Sequence, residues 1–152
     1  MAGQRSAAVM NRFFLLATAL LVAGCDAIPS DPDGTLDRVR GERLFRVGLI
    51  ASHTPPPDGA GNLLQRLSRA TGAKAAVERG PAEALLTRLE EGDLDLVLGE
   101  FAEQSPWAAQ VTLSDPILAN GPIVLAAAAR NGENAWIALI HREARAVASA
   151  AE

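Results

Sequence analysis

The sequence predicts an α/β fold built on a doubly wound, mostly parallel sheet, and three observations carry that expectation. Three short runs rich in apolar residues, 44–51, 75–79 and 95–99, have the length of strands. Two stretches between them repeat apolar residues at helical spacing, and the connections are short. Strand, helix, strand, helix, strand with right-handed crossovers places the first and third strands side by side, in the order 2-1-3.

Each element has a local reason. Leu44-Phe45-Arg46-Val47-Gly48-Leu49-Ile50-Ala51 is β-rich and has little polarity, as a strand buried on both faces requires. A Pro/Gly loop from His53 to Gly61 follows, and Asn62 is placed to cap a helix carrying Leu63, Leu64, Leu67 and Ala70, with Gly72 as its stop. Ala75 to Arg79 is a weaker strand. Gly80-Pro81 opens the second helix, where a missing N–H costs nothing. Ala82, Leu85, Leu86 and Leu89 form its apolar stripe, and Gly92 ends it. Asp95 to Gly99 is the third strand. Two further short strands are expected at Gln110–Leu113 and Pro122–Ala128, and a last helix from about Glu133 to Ala150 with Trp136, Ile140, Ala144 and Val147 on one face.

Composition limits the function classes. The chain has 152 residues, with 14 Lys and Arg against 18 Asp and Glu, and 49% of residues are apolar. Residues 1–24 hold Arg5 and Arg12 and no acid, so the remainder is more acidic still. An acidic chain whose basic residues are scattered is a poor electrostatic match for nucleic acid. A single cysteine, Cys25, excludes an internal disulfide, and two histidines give no basis for a metal site. No cofactor is implied. No enzymatic activity is expected: Ser52 and His53 are adjacent, which points their side chains apart in extended backbone, and neither a nucleophile elbow nor a glycine-rich phosphate loop occurs.

The N-terminus is basic at Arg5 and Arg12, then uncharged and largely apolar from Phe13 to Gly24. That run is too short to span a bilayer, which takes about 20 residues, but it suits a signal-peptide core. Leu21-Val22-Ala23-Gly24-Cys25 resembles the bacterial lipobox. The resemblance implies cleavage before Cys25 and diacylation of its thiol, giving a lipoprotein anchored in a membrane and facing the periplasm. Asp26 is similar to the signal that retains enterobacterial lipoproteins at the inner membrane. Met10 is an alternative start, since Met10-Asn11-Arg12 is itself an adequate basic leader. The Pro- and Asp-rich stretch after the cysteine lacks periodicity and reads as a tether. The expected organisation is therefore 1–24 signal peptide, 25–43 lipidated cysteine and flexible tether, and 44–152 a single lobe.

Within that lobe four stretches resemble the periplasmic solute-binding proteins of the amino-acid type. They are Arg46-Val47-Gly48, the helix-to-strand passage from Leu85 to Asp95, the following strand Leu96–Gly99, and Val111-Thr112-Leu113-Ser114-Asp115-Pro116. The resemblance implies a type II periplasmic-binding-protein fold and a role in solute transport. That family has two lobes that clamp the ligand, the second inserted after the last of these segments. Here residues 117–152 suffice for one strand and one helix, so a single, reduced lobe is expected. The family's carboxylate-binding Arg, four residues before the Val of the last segment, is replaced by Trp107, and the loop Ser52-His53-Thr54-Pro55-Pro56-Pro57 lacks its stacking aromatic. Binding of an amino-acid carboxylate is accordingly not carried over, and cationic or neutral solutes are favoured.

Ligands of open α/β sheets sit beyond the carboxyl ends of the strands, which makes Ser52, His53 and Glu100 candidates. His53 can donate or accept near neutrality, or simply be solvated. Glu100 can meet a cationic ligand or pair with His53, or be an ordinary surface carboxylate. Trp107 offers a stacking surface, or it plugs the space beside the missing lobe. Ser114-Asp115-Pro116 reads as a turn whose Asp bonds nearby backbone, and His141, beside Arg142 and Arg145, as part of a solvated helix face. Two functions follow: a small-solute binder or accessory component of a transport system, or a non-ligand-binding interaction module docking a membrane transporter or envelope partner.

Overall fold

The structure, a computed structural model, describes residues 31–51, 58–102 and 104–151. The elements in chain order are α1 (Thr35–Glu42), β1 (Leu44–Ile50), α2 (Asp58–Thr71), β2 (Lys74–Gly80), α3 (Ala82–Glu90), β3 (Leu96–Ala102), a 3₁₀ turn (Pro106–Ala109), β4 (Val111–Leu113), β5 (Leu118–Asn120), β6 (Ile123–Arg130) and α4 (Asn134–Ala151). One six-stranded sheet runs in the order β2-β1-β3-β6-β4, with β5 also paired to β6. The expected 2-1-3 core is present and parallel: Val47 pairs with Val77 on one side and Leu96 on the other. The sheet as a whole is mixed, because β6 returns antiparallel to β3, and β4 and β5 run antiparallel to β6.

Alternation along the strands divides the core into two layers. Phe45, Val47, Leu49, Leu96, Leu98, Leu125 and Ala127 face α1, α2 and α4, whereas Val97, Phe101, Ala126 and Ala128 face α3. Trp136 anchors the first layer. It lies edge-on to Phe45 with ring centroids 5.9 Å apart, and its indole N–H donates to the Asp95 carbonyl at 2.7 Å. On the other face α3 approaches β1 closely: a Cβ at Gly48 would lie 2.9 Å from Leu94 Cδ1 and 3.0 Å from Leu85 Cδ2.

Three expectations need correction. Residues 35–42 are helical rather than tether, with Thr35, Leu36 and Val39 buried. The cause is tertiary: Glu133 accepts the backbone N–H groups of Asp33 and Thr35, each at 3.0 Å, and Asp31 Oδ2 accepts that of Leu36 at 3.1 Å. The Thr35 and Leu36 groups are donors that a helix start otherwise leaves open. The second correction is that α2 begins at Asp58, so Asn62 lies inside the helix and does not cap it. Gly59 is then the residue that lets its first turn settle on the sheet, where a Cβ would meet Ile117 Cγ2 at 2.8 Å. Third, Pro81 is the N-cap of α3, in extended backbone, and the helix proper starts at Ala82. The last helix matches expectation, and Trp136, Ile140, Ala144 and Val147 are all buried.

Candidate functional site

The carboxyl ends of β1 and β3 lie next to each other, held together by a very close approach. A Cβ at Gly99 would fall 2.6 Å from Ile50 Cβ, so the two strand ends meet only because residue 99 has no side chain. The Ala51 N–H donates to the Gly80 carbonyl at 2.9 Å, which ties the tip of β1 to the end of β2. Glu100 follows Gly99 and is exposed. The register places it opposite Leu125, so it belongs to the α1/α2/α4 side of the sheet. Leu125 in turn packs beneath the first turn of α2, with its Cδ2 3.3 Å from where a Gly59 Cβ would stand. Glu100 therefore sits at the same edge as the start of α2, where Asp58 is a second exposed carboxylate.

Asp58 lines hollows on both flanks of α2. One, of about 660 Å³, lies towards the sheet edge with Leu49, Val77 and Arg79. The other, of about 530 Å³, lies towards α4 with Arg66, Arg69, Leu118 and Val147. Reading residues 53–61 as a loop hid Asp58 as a site candidate. Its one signal in the sequence is an acid at a helix start, where the helix dipole favours negative charge.

Trp107 occupies the 3₁₀ turn, its backbone N–H donating to Ser105 Oγ at 3.3 Å. The side chain is half-buried against the cluster formed by Leu85, Leu86, Phe101 and Val111, on the α3 side. Glu100 and Trp107 thus lie on opposite sides of the sheet. Ser52, His53 and the expected lipid-attachment residue Cys25 lie outside the described residues.

Two local expectations change. Asp115 bonds side chains rather than nearby backbone: its Oδ2 is 3.2 Å from His141 Nδ1 and 2.9 Å from Arg145 Nη1. The His141 hydrogen bond, with the positive charge of its neighbours, holds the Asp115 carboxyl below its ordinary value. His141 is therefore a docking contact between α4 and the segment after β4, not only a solvated face residue.

The opposite, amino-terminal end of the sheet holds the most charged interior. Asp95, buried before β3, accepts the Arg46 backbone N–H at 2.7 Å and pairs with the Arg46 and Arg38 guanidiniums. The Asp95 carboxylate raises the pKa of Arg46. Beside it a hollow of about 220 Å³ is lined by Asp33, Arg130 and Glu133. Every one of these charges has a partner within the fold, so the cluster binds α1 to the sheet.

No protein-family model matches the chain, and no curated protein matches it in sequence. Solved structures do. A point mutant of the arginine-bound form of domain 1 of the arginine-binding protein of T. maritima aligns over 75% of this chain and 98% of its own, with a TM-score of 0.65 and 17% identity. The fold is one lobe of a type II periplasmic binding protein. An ancestral cationic amino acid solute binding protein gives a TM-score of 0.63 at 12% identity, covering 76% of this chain and 94% of that one. A Salmonella typhimurium periplasmic binding protein with high arginine specificity gives 0.57 at 11%, covering 70% and 94%. These neighbours are mainly binding proteins, although the ancestral protein is also described as a precursor of cyclohexadienyl dehydratase. Among the described residues of this lobe, no helix is long and apolar enough to cross a membrane.

Proposed function

We propose that this chain is a periplasm-facing lipoprotein whose single solute-binding-type lobe takes a small cationic solute as part of a transport system. The observation that supports the reading is the lobe itself, which covers nearly the whole of an isolated arginine-bound domain. The site chemistry agrees in sign. Glu100 and Asp58 share the carboxyl edge of the sheet, and a guanidinium or ammonium group is what two exposed carboxylates recognise. Trp107 in place of the family's Arg removes the fork for a ligand carboxylate. A second copy or the transporter completes the cleft, since one lobe supplies walls on one side only. Diacylation of Cys25 anchors the chain, and Asp26 keeps it at the inner membrane.

The test is a thermal-shift screen with basic amino acids, polyamines and neutral solutes. A ligand at about ten times its Kd stabilises the native state by about 1.4 kcal/mol, a shift of several degrees for a lobe this size. Glu100→Gln is expected to weaken binding of any cationic hit; unchanged affinity removes Glu100 from the site. A flat screen favours the second reading, a lobe that keeps its surface for docking a membrane transporter partner. Intact-mass measurement of the membrane-extracted protein checks the address, and an unacylated Cys25 refutes it.

A further inference from the structure

The two helix layers carry opposite charge. The α3 helix and the turn after it present Glu83, Glu90, Glu91 and Asp93 against Arg88. Helices α1, α2 and α4 with the Arg43 cap present Arg40, Arg43, Arg66, Arg69, Arg142 and Arg145, against their exposed acids Asp37, Glu42 and Asp58, while Glu100 lies on the same side at the carboxyl edge of the sheet. The helices' remaining carboxylate, Glu143, is buried and shared by two arginines: Arg66 Nε at 2.9 Å and Arg142 Nη2 at 2.8 Å. Arg145 pairs with Asp115 from the segment after β4 at 2.9 Å, so the positive surplus along the α2–α4 seam comes from Arg66 and Arg142 sharing the single Glu143 carboxylate. Arg69 adds to it, exposed and without an ion pair among the described residues.

That seam is also apolar at its surface. The groove of about 530 Å³ beside Arg66 and Arg69 is lined by Leu118, Val147 and Ala150, with the Asp58 carboxylate at the α2 start also on its wall. Leu118 is 43% exposed. Guanidiniums next to uncovered aliphatic surface match an amphiphile whose head is a phosphate. A small soluble anion engages the arginines and leaves Leu118 bare. A second copy packed through the same face sets arginine against arginine.

We propose that the α1/α2/α4 layer docks on an anionic phospholipid surface, with the α2–α4 arginines on headgroup phosphates and Leu118 at the glycerol level. The proposed lipid anchor supplies proximity; the charge argument stands without it. In this orientation the acidic α3 layer faces away from the bilayer, and the carboxyl edge of β1 and β3 remains open at the side.

The experiment is arginine footprinting with phenylglyoxal on the full chain, reconstituted with vesicles of phosphatidylcholine alone or with about 30% phosphatidylglycerol. Arg66, Arg69, Arg142 and Arg145 are expected to react about fivefold more slowly on the anionic vesicles, with recovery in about 0.5 M NaCl, while Arg88 on α3 is unchanged. Flotation separates this proposal from the anchor. Flotation with both vesicle types without selective protection overturns docking and keeps the anchor. Flotation with anionic vesicles alone supports docking and overturns the anchor, and flotation with neither overturns both. Protection on neutral vesicles that grows with protein density means a second copy covers the face, and also overturns the proposal. In the Arg69→Gln/Arg145→Gln variant, with melting unchanged, protection of Arg66 and Arg142 is expected to fall; full retention refutes their role.

Discussion

Replacing Glu133 with Gln tests the packing of α1 onto the lobe. Glu133 is 1% exposed, accepts the backbone N–H groups of Asp33 and Thr35, and lies 3.6 Å from Arg130. Burial alone pushes its carboxyl up, but the hydrogen bonds from Thr35 and Asp33 outweigh that and bring it from 4.5 down to about 2. A depression of that size corresponds to about 3 kcal/mol of stability at neutral pH. The Asp31 carboxyl opposes part of this. Burial raises it first and the neighbouring Glu133 raises it further, so its ionised form destabilises the fold. A net loss of about 2 kcal/mol is expected for Glu133→Gln at pH 7. Because the folded-state value is the lower one, this stability is present above about pH 4.5 and is lost as pH falls towards 2. Urea unfolding of both proteins at pH 7, 4 and 3 reads it directly: the gap between them should narrow to less than half by pH 3. A gap under about 0.5 kcal/mol at pH 7, or one that does not change with pH, refutes the reasoning.

Other outcomes follow from the same geometry. Asp31 Oδ1 is buried with no hydrogen-bond partner among the described residues, facing another carboxylate. Asp31→Asn supplies an N–H there and should raise stability by about 1 kcal/mol at pH 7; a lower melting temperature contradicts it. Gly99→Val drives a side chain into Ile50 and should cost about 1–3 kcal/mol by urea unfolding, and an unchanged midpoint disproves the close approach. Trp107→Ala should lower stability by about 1–2 kcal/mol and leave solute affinity unchanged. Weaker binding at unchanged melting temperature makes Trp107 a ligand wall instead.

How much was legible depends on where each signal is stored. The first strand and the Ala82–Leu89 stripe are readable because burial on two faces, or on one helical face, must be encoded in neighbouring residues. Strand β2 reads weakly because it is an exposed edge and needs little apolar sequence. Asp58 was missed because two glycines follow within three residues, the pattern of a loop, whereas Gly59 here gives way to Ile117. Ser114-Asp115-Pro116 looks like a turn in isolation, and the partners of Asp115, His141 and Arg145, are too distant in sequence to be inferred from it.

The sequence alone determined the β1-α2-β2-α3-β3 succession and its parallel 2-1-3 core, since these follow from periodicity and connection length. The tertiary structure decided what depends on residues far apart in the chain. It made a helix of 35–42, whose first N–H, that of Thr35, is satisfied by Glu133 some hundred residues away. It put Glu100 and Trp107 on opposite sides of the sheet, and it gathered arginines from α2 and α4 around one buried carboxylate. Local pattern specifies backbone periods, whereas charge and hydrogen-bond partners are chosen only when packing brings distant segments into contact.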